Sequence, residues 1–87
     1  MYKVKLTAKA KTELKLISRR HQFALGQIFD ELKDYPFLGK SLGRELTGKF
    51  SYRISVYRIV YKIDEKDKIV YITTVGHRST AYGKRKQ

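Results

Sequence analysis

Tyr57-Arg58-Ile59-Val60-Tyr61-Lys62-Ile63, followed by Asp64-Glu65-Lys66-Asp67 and then Lys68-Ile69-Val70-Tyr71-Ile72-Thr73-Thr74-Val75, decides the fold. Ile59, Tyr61 and Ile63 alternate with Arg58, Val60 and Lys62, the period of a half-buried strand. The polar tetrapeptide suits a hairpin turn, and the run after it is rich in β-branched and aromatic residues. Upstream, Tyr52-Arg53-Ile54-Ser55-Val56 alternates as well, opposing Ile54 and Val56 to Arg53 and Ser55. Strict alternation does not place Ile54, Val56 and Ile59 on one face, so a bend or bulge is expected near Tyr57.

The N-terminal half changes period. Tyr2-Lys3-Val4-Lys5-Leu6 alternates as a strand, and Thr7 stands where its hydroxyl can cap a helix. Ala10, Leu14 and Ile17 recur at helical spacing, with Lys9, Lys11 and Lys15 off that stripe. Ser18-Arg19-Arg20-His21 suits a break or tight corner. Leu25, Ile28, Phe29 and Leu32 then mark one face of a second helix, which Pro36 ends by biasing Tyr35 away from helical geometry. Gly39 and Gly43 mark a loop. The order is β-α-α-β-β-β: an α+β fold, with a helical hairpin packed on one face of a small, twisted antiparallel sheet. Two helices cover one side only, so the other face is expected to be open and to carry Arg53, Ser55 and Arg58.

Eighty-seven residues make one domain, 1–87, with 83–87 expected to be a flexible basic tail. Hydrophobic residues at 41% and aromatics at 13% suffice for one helical layer on one sheet. Cysteine is absent and there are two histidines, His21 and His77, so neither a disulfide nor a metal cluster is expected, and no cofactor. No apolar run approaches the ~20 residues of a membrane span. The N-terminus lacks the apolar stretch of a signal peptide, which gives a cytoplasmic expectation. Twenty Lys and Arg against eight Asp and Glu leave a formal net charge of +12. Charge of this size and sign points to a polyanion, usually nucleic acid, or to an acidic protein.

Val75-Gly76-His77-Arg78 and Tyr82 complete the C-terminal pattern. Arg58, His77, Arg78 and Tyr82 are expected to leave one small hairpin together, with Arg53 beside them. Arginine keeps its charge and donates two parallel hydrogen bonds to a phosphate, while imidazole titrates near neutrality and carries protons. A tyrosine ring stacks on an unpaired base. Lys9, Lys11, Lys15, Arg19, Arg20, Lys49, Lys84 and Arg85 supply a wider basic surface suited to RNA or a ribosome.

With Leu46-Thr47-Gly48 before the sheet, and the segments 52–56, 57–63 and 75–78 with Tyr82, the chain resembles the RelE/ParE superfamily of type II toxins. The resemblance spans essentially the whole chain and favours the RelE branch. It implies a metal-free endoribonuclease that cuts mRNA in the ribosomal A site and is held inactive by a cognate antitoxin. Complementarity predicts that the antitoxin is acidic and docks along the helices and the sheet edge. The ParE branch gives the alternative, a poison of DNA gyrase that acts by binding. Carried over residue by residue, Arg53 takes the place of a basic residue on the exposed sheet face. Arg58 takes that of the arginine at the scissile phosphate, and Arg78 that of the arginine after the last strand. Tyr82 takes that of the base-stacking tyrosine, and His77 a slot often held by His or Lys. Some ribosome-dependent members have a second lysine where this chain has Ser55. That leaves His77 as the expected proton carrier.

Overall fold

In the computed structural model, which describes residues 1–42 and 48–77, the chain starts with β1 (Lys3–Leu6), turning Val4 and Leu6 inward. Thr7 ends the strand and opens α1 (Ala8–Lys15); its Oγ1 accepts from the Ala10 amide at 3.2 Å, satisfying one of the free donors of the first turn. The helical corner is tighter than Ser18–His21. Ser18 is the N-cap of α2 (Arg19–Asp34), so Arg19, Arg20 and His21 already form its first turn. Gln22 explains the compactness: its Nε2 donates to the carbonyls of Leu14 (3.0 Å) and Ile17 (2.8 Å), satisfying the end of α1 from within α2. Leu25, Ile28 and Leu32 are buried along α2, with Phe29 packed beside them, and the helix stops before Pro36.

Beyond the helices lie β2 (Lys40–Ser41), β3 (Lys49–Ile54), β4 (Tyr57–Asp64) and β5 (Ile69–His77), in the sheet order β1-β5-β4-β3-β2. The α+β layout with a helical hairpin on one face is as expected. The sheet itself is mixed, because β1 pairs in parallel with β5 while the other pairs are antiparallel. The pair joins the first and last strands, and no local pattern records such a partnership. The two-residue β2 lies in the expected loop. Gly43, Leu46 and Thr47 lie outside the described residues.

The core forms where Ala10, Ile17, Leu25, Ile28 and Leu32 meet Ile59, Tyr61, Val70, Ile72 and Val75. For β5 to send Val70, Ile72 and Val75 to one face, its alternation must slip by one residue. It does so at Thr73: Val60 pairs with Thr74 and Tyr61 with Ile72, leaving Thr73 unmatched as a β-bulge. The Thr73 hydroxyl donates to the Val60 carbonyl at 3.1 Å.

The expected break near Tyr57 is a two-residue hairpin. Ile54 pairs with Tyr57, leaving Ser55 and Val56 as the tip, so Val56 is exposed rather than buried with Ile54. Ser55 has φ +55°, at the position where a type II′ turn favours glycine. The second sheet face is not uniformly open, since Val60 (4% exposed) and Ser51 (7%) are buried on it.

Tyr61 ties the loop after α2 to the sheet. It is fully buried; its hydroxyl donates to the Pro36 carbonyl at 2.9 Å and accepts from the Gly39 amide at 2.8 Å. Gly39 is there because of proximity: a Cβ would stand 2.5 Å from the Ser51 carbonyl oxygen and 2.7 Å from the Tyr61 hydroxyl. Burial pushes the Tyr61 phenol above its ordinary 10.0, against a smaller opposing effect of the Gly39 amide. Because the folded value is raised, this contribution to stability is intact below pH 10 and is lost as pH climbs through the folded value.

Gly39→Ala and Tyr61→Phe are each expected to cost about 1–3 kcal/mol in urea unfolding, through steric overlap and unsatisfied loop groups respectively. The double variant should cost less than the sum, because both changes act on one contact. Tyr61→Phe should also flatten the loss of stability above the ordinary tyrosine range.

Candidate active site

The tip of the β3–β4 hairpin brings two arginines together on the second sheet face. With Ser55 and Val56 as its only loop residues, Arg53 stands directly opposite Arg58 in the ladder. Facing residues in such a pair have Cβ atoms roughly 4.5–5.5 Å apart, and like charges there work against folding. Arg53 is exposed and Arg58 half-buried. Both line a cleft of about 390 Å³ that also takes in Leu38, Gly39, Lys40, Ser51 and Tyr52. An anion entering this cleft meets both arginines, each of a kind that donates two parallel hydrogen bonds to a phosphate.

His77 does not join them. Arg58 pairs with Gly76, whereas His77 pairs with Tyr57, one position along and therefore on the other face. The His77 ring lies 6.2 Å from that of Tyr57, which lies 4.9 Å from that of His21 on α2. The expected convergence of His77 with Arg58 is thus corrected. The bulge at Thr73 is the cause, because it phases Val75 and His77 toward the helices. His77 instead edges a cleft with Glu13, Leu16, Ile17 and Tyr57. Arg78, Tyr82, Lys84 and Arg85, like the 83–87 tail, lie outside the described residues.

The wider basic set is divided between the two sides. Lys9 is tied into the scaffold: its Nζ reaches Glu13 Oε2 at 3.1 Å and Thr74 Oγ1 at 3.3 Å, while Glu13 Oε1 accepts from the Val75 amide at 2.9 Å. Lys11 and Lys15 are exposed on α1, and Arg19 and Arg20 on the first turn of α2. Two cations at a helix N-terminus oppose the helix dipole, so local stability does not account for them. Lys49 belongs to the sheet face, opposite Lys62 in the ladder.

Lys62, Lys40, Lys5 and Tyr71 also take positions on the second face, and the sequence reading did not single them out. For Lys5, Lys62 and Tyr71 the signal was available, since each alternates with residues that pack inward, whereas Lys40 lies in the expected loop. Among the described residues, no group of three or more His, Cys, Asp or Glu is placed to hold a metal ion.

Residues 4–82 match the family model described as the ParE toxin of the type II toxin–antitoxin system parDE. This chain belongs to the RelE/ParE superfamily of type II toxins. Within it the chain is RelE-like. It is 37% identical over 83 residues to toxin RelG of Mycobacterium tuberculosis, covering 93% of this chain and 95% of that one. Toxin RelE of the same organism is 35% identical over 83 residues, covering 93% and 86%. A toxin–antitoxin complex structure from M. tuberculosis superimposes with TM-score 0.82 at 37% identity, covering 88% of this chain and 98% of that chain. The isolated E. coli RelE toxin shares the fold at TM-score 0.78 and 19% identity, with 100% and 89% covered.

Relieving the opposed arginines provides a check on this geometry. Arg53→Thr is expected to hold or raise stability by about 0.2–1 kcal/mol in urea unfolding, while weakening binding of a polyanion such as heparin. A clear loss of stability would show that the two side chains are not opposed.

Proposed function

We propose that this toxin is an endoribonuclease that cuts mRNA in the ribosomal A site and so halts translation. The single observation that carries the reading is the pair of arginines held opposite one another across β3 and β4, in a RelE-like chain. Cleavage by the RNA's own 2′-hydroxyl requires that hydroxyl to lose its proton and attack phosphorus in line. The bond to the 5′-oxygen breaks as that oxygen gains a proton, leaving a 2′,3′-cyclic phosphate and a free 5′-hydroxyl. Negative charge builds on the phosphorane oxygens during the step. Arg58, half-buried and fixed in mid-sheet, is suited to meet that charge, with Arg53 completing the grip. Arg78 and Tyr82 are proposed, from the family pattern, as a further phosphate contact and a base-stacking ring.

His77 has a different part in this reading. Facing Tyr57 rather than Arg58, it forms the helix-side wall of the strand end and is not assigned as general base. Arginine is a poor base near neutrality. The proton from the 2′-hydroxyl is therefore assigned to a group outside the arginine pair, solvent or the ribosome itself included.

A cognate antitoxin is proposed as the partner, as in the M. tuberculosis and E. coli toxin–antitoxin complexes that share this fold. Exposed Leu16 and Phe23 on the helical side, and Tyr35, Phe37 and Leu38 after α2, offer the apolar surface for it. The surrounding cations favour an acidic antitoxin. No described helix is long and apolar enough to cross a membrane, and translating ribosomes place the proposed action in the cytoplasm. The match to a ParE model supports a second reading, a gyrase poison that binds without cutting RNA.

Programmed ribosomes given the purified toxin, with mRNA 5′ ends mapped, separate the two. Cuts in the A-site codon are expected; gyrase-trapped DNA breaks with intact mRNA would support the second reading instead. Arg58→Ala is expected to slow cleavage by roughly 10²–10³-fold. His77→Gln should fall far short of the ~10²–10⁴-fold loss of a general base, with an unchanged pH profile.

A further inference from the structure

We infer that the sheet face bearing the arginine pair carries a second RNA contact, a stacking and phosphate groove centred on Tyr71, Lys62 and Lys49. The inference rests on the nuclease reading above and extends the path of its substrate. The ladder supplies the geometry. Lys5 pairs with Tyr71, Tyr71 with Lys62, and Lys62 with Lys49, so one row across four strands places an aromatic ring between ammonium groups. Val70 and Ile72 are fully buried in the core, which fixes Tyr71 on the opposite face. A groove of about 730 Å³ lies along this row, lined by Thr7, Lys49, Lys62, Tyr71 and Thr73. It is larger than the arginine cleft and distinct from it.

Spacing relates the two sites. Lys62 stands four residues along β4 from Arg58, about 13 Å at a strand's rise, and both positions share one face. The row between them, Thr74, Val60 and Ser51, is itself uncharged, with Lys9 bonded to Thr74 at one end and Lys40 paired with Ser51 at the other. A strand of RNA leaving the arginines over the middle of the sheet therefore crosses the uncharged Val60 position before it meets Lys62 and Lys49. Two separated clusters of charge with an aromatic at the second are what a single strand uses, with phosphates on the cations and a base on the ring. An acidic protein segment would satisfy the lysines and leave the ring without a role. Asp64 and Glu65 stand at the hairpin turn, where Asp64 Oδ1 accepts from the Asp67 amide at 3.0 Å. With Lys66 they line the groove at that end, where two carboxylates outweigh one ammonium for a strand that would continue over the turn.

The test uses the full-length toxin and 2′-O-methyl RNA, which cannot be cut, in a short form that fills only the arginine cleft and a longer form that reaches Tyr71. Anisotropy titrations over a range of salt give affinity and slope. Lys49→Ala with Lys62→Ala is expected to weaken the longer RNA about tenfold and lower its salt slope by roughly 1.4, at ~0.7 per phosphate contact. The short RNA should bind as before. Tyr71→Leu should weaken the longer RNA by roughly tenfold, whereas Tyr71→Phe, which keeps the ring, should not. Unchanged binding of the longer RNA overturns the inference, as does equal weakening of both RNAs. Loss of antitoxin binding alone overturns it in favour of an acidic protein surface. Because neither RNA can react, the result is independent of whether the toxin cuts mRNA. Cleavage by wild-type toxin with unaltered binding in the lysine variant would sink this inference alone.

Discussion

A strand can send side chains to a given face only every second residue, and everything in this fold turns on how β5 meets that constraint. Val70 and Ile72 serve the core under one phase, and Val75 serves it under the other. Thr73 reconciles the two by standing outside the ladder, with its hydroxyl satisfying the Val60 carbonyl at 3.1 Å. The core at the far end of the sheet, where Val75 packs with Ile59 and Ile17, exists because of that one-residue slip. The same slip aims His77 toward Tyr57 and away from Arg58. A packing requirement has thereby separated two groups that the hairpin pattern was expected to bring together.

The scaffold around the sheet is assembled from polar contacts at places where secondary structure ends. Gln22 finishes α1 from inside α2, Glu13 takes the Val75 amide, and Tyr61 holds the loop after α2. Each contact meets a backbone group whose desolvation would otherwise count against folding. Lys9 joins this scaffold through Glu13 and Thr74, so one of the expected RNA-facing cations also has a structural task. The sheet face, by contrast, contains charges whose mutual repulsion the fold tolerates. Opposed Arg53 and Arg58, and opposed Lys49 and Lys62, place like charge against like charge in the ladder. Such pairs are the cost in folding of the polyanion contact proposed for this face.

Much of this was legible in the residues, for local reasons. Alternation in 57–63 located β4 and put Arg58 on the outer face, and the stripe from Leu25 to Leu32 located α2. The threonine cap at Thr7 and the stop before Pro36 follow from single-residue chemistry. What escaped was non-local. Parallel pairing of β1 with β5 joins the two ends of the sequence, and the bulge depends on which residues the helices require. Val56 shows the same limit: it alternates properly with Ser55, yet the pairing of Ile54 with Tyr57 makes it a loop residue. Lys62 and Tyr71 were within reach of the alternation argument, but their shared row became visible only with the strand order.

Ser55 holds a backbone conformation, φ +55°, that L-residues other than Asn and Asp adopt reluctantly. The compact tip it permits acts as a molecular ruler, setting where the two guanidinium-bearing strands begin to run side by side. A one-residue slip in this pairing would take the cations out of opposition and, by turning every side chain of one strand to the other face, would also pull Phe50 and Tyr52 off the core. Charge placement and apolar burial are therefore locked to the same solvent-exposed bend, and neither can be retuned there without the other.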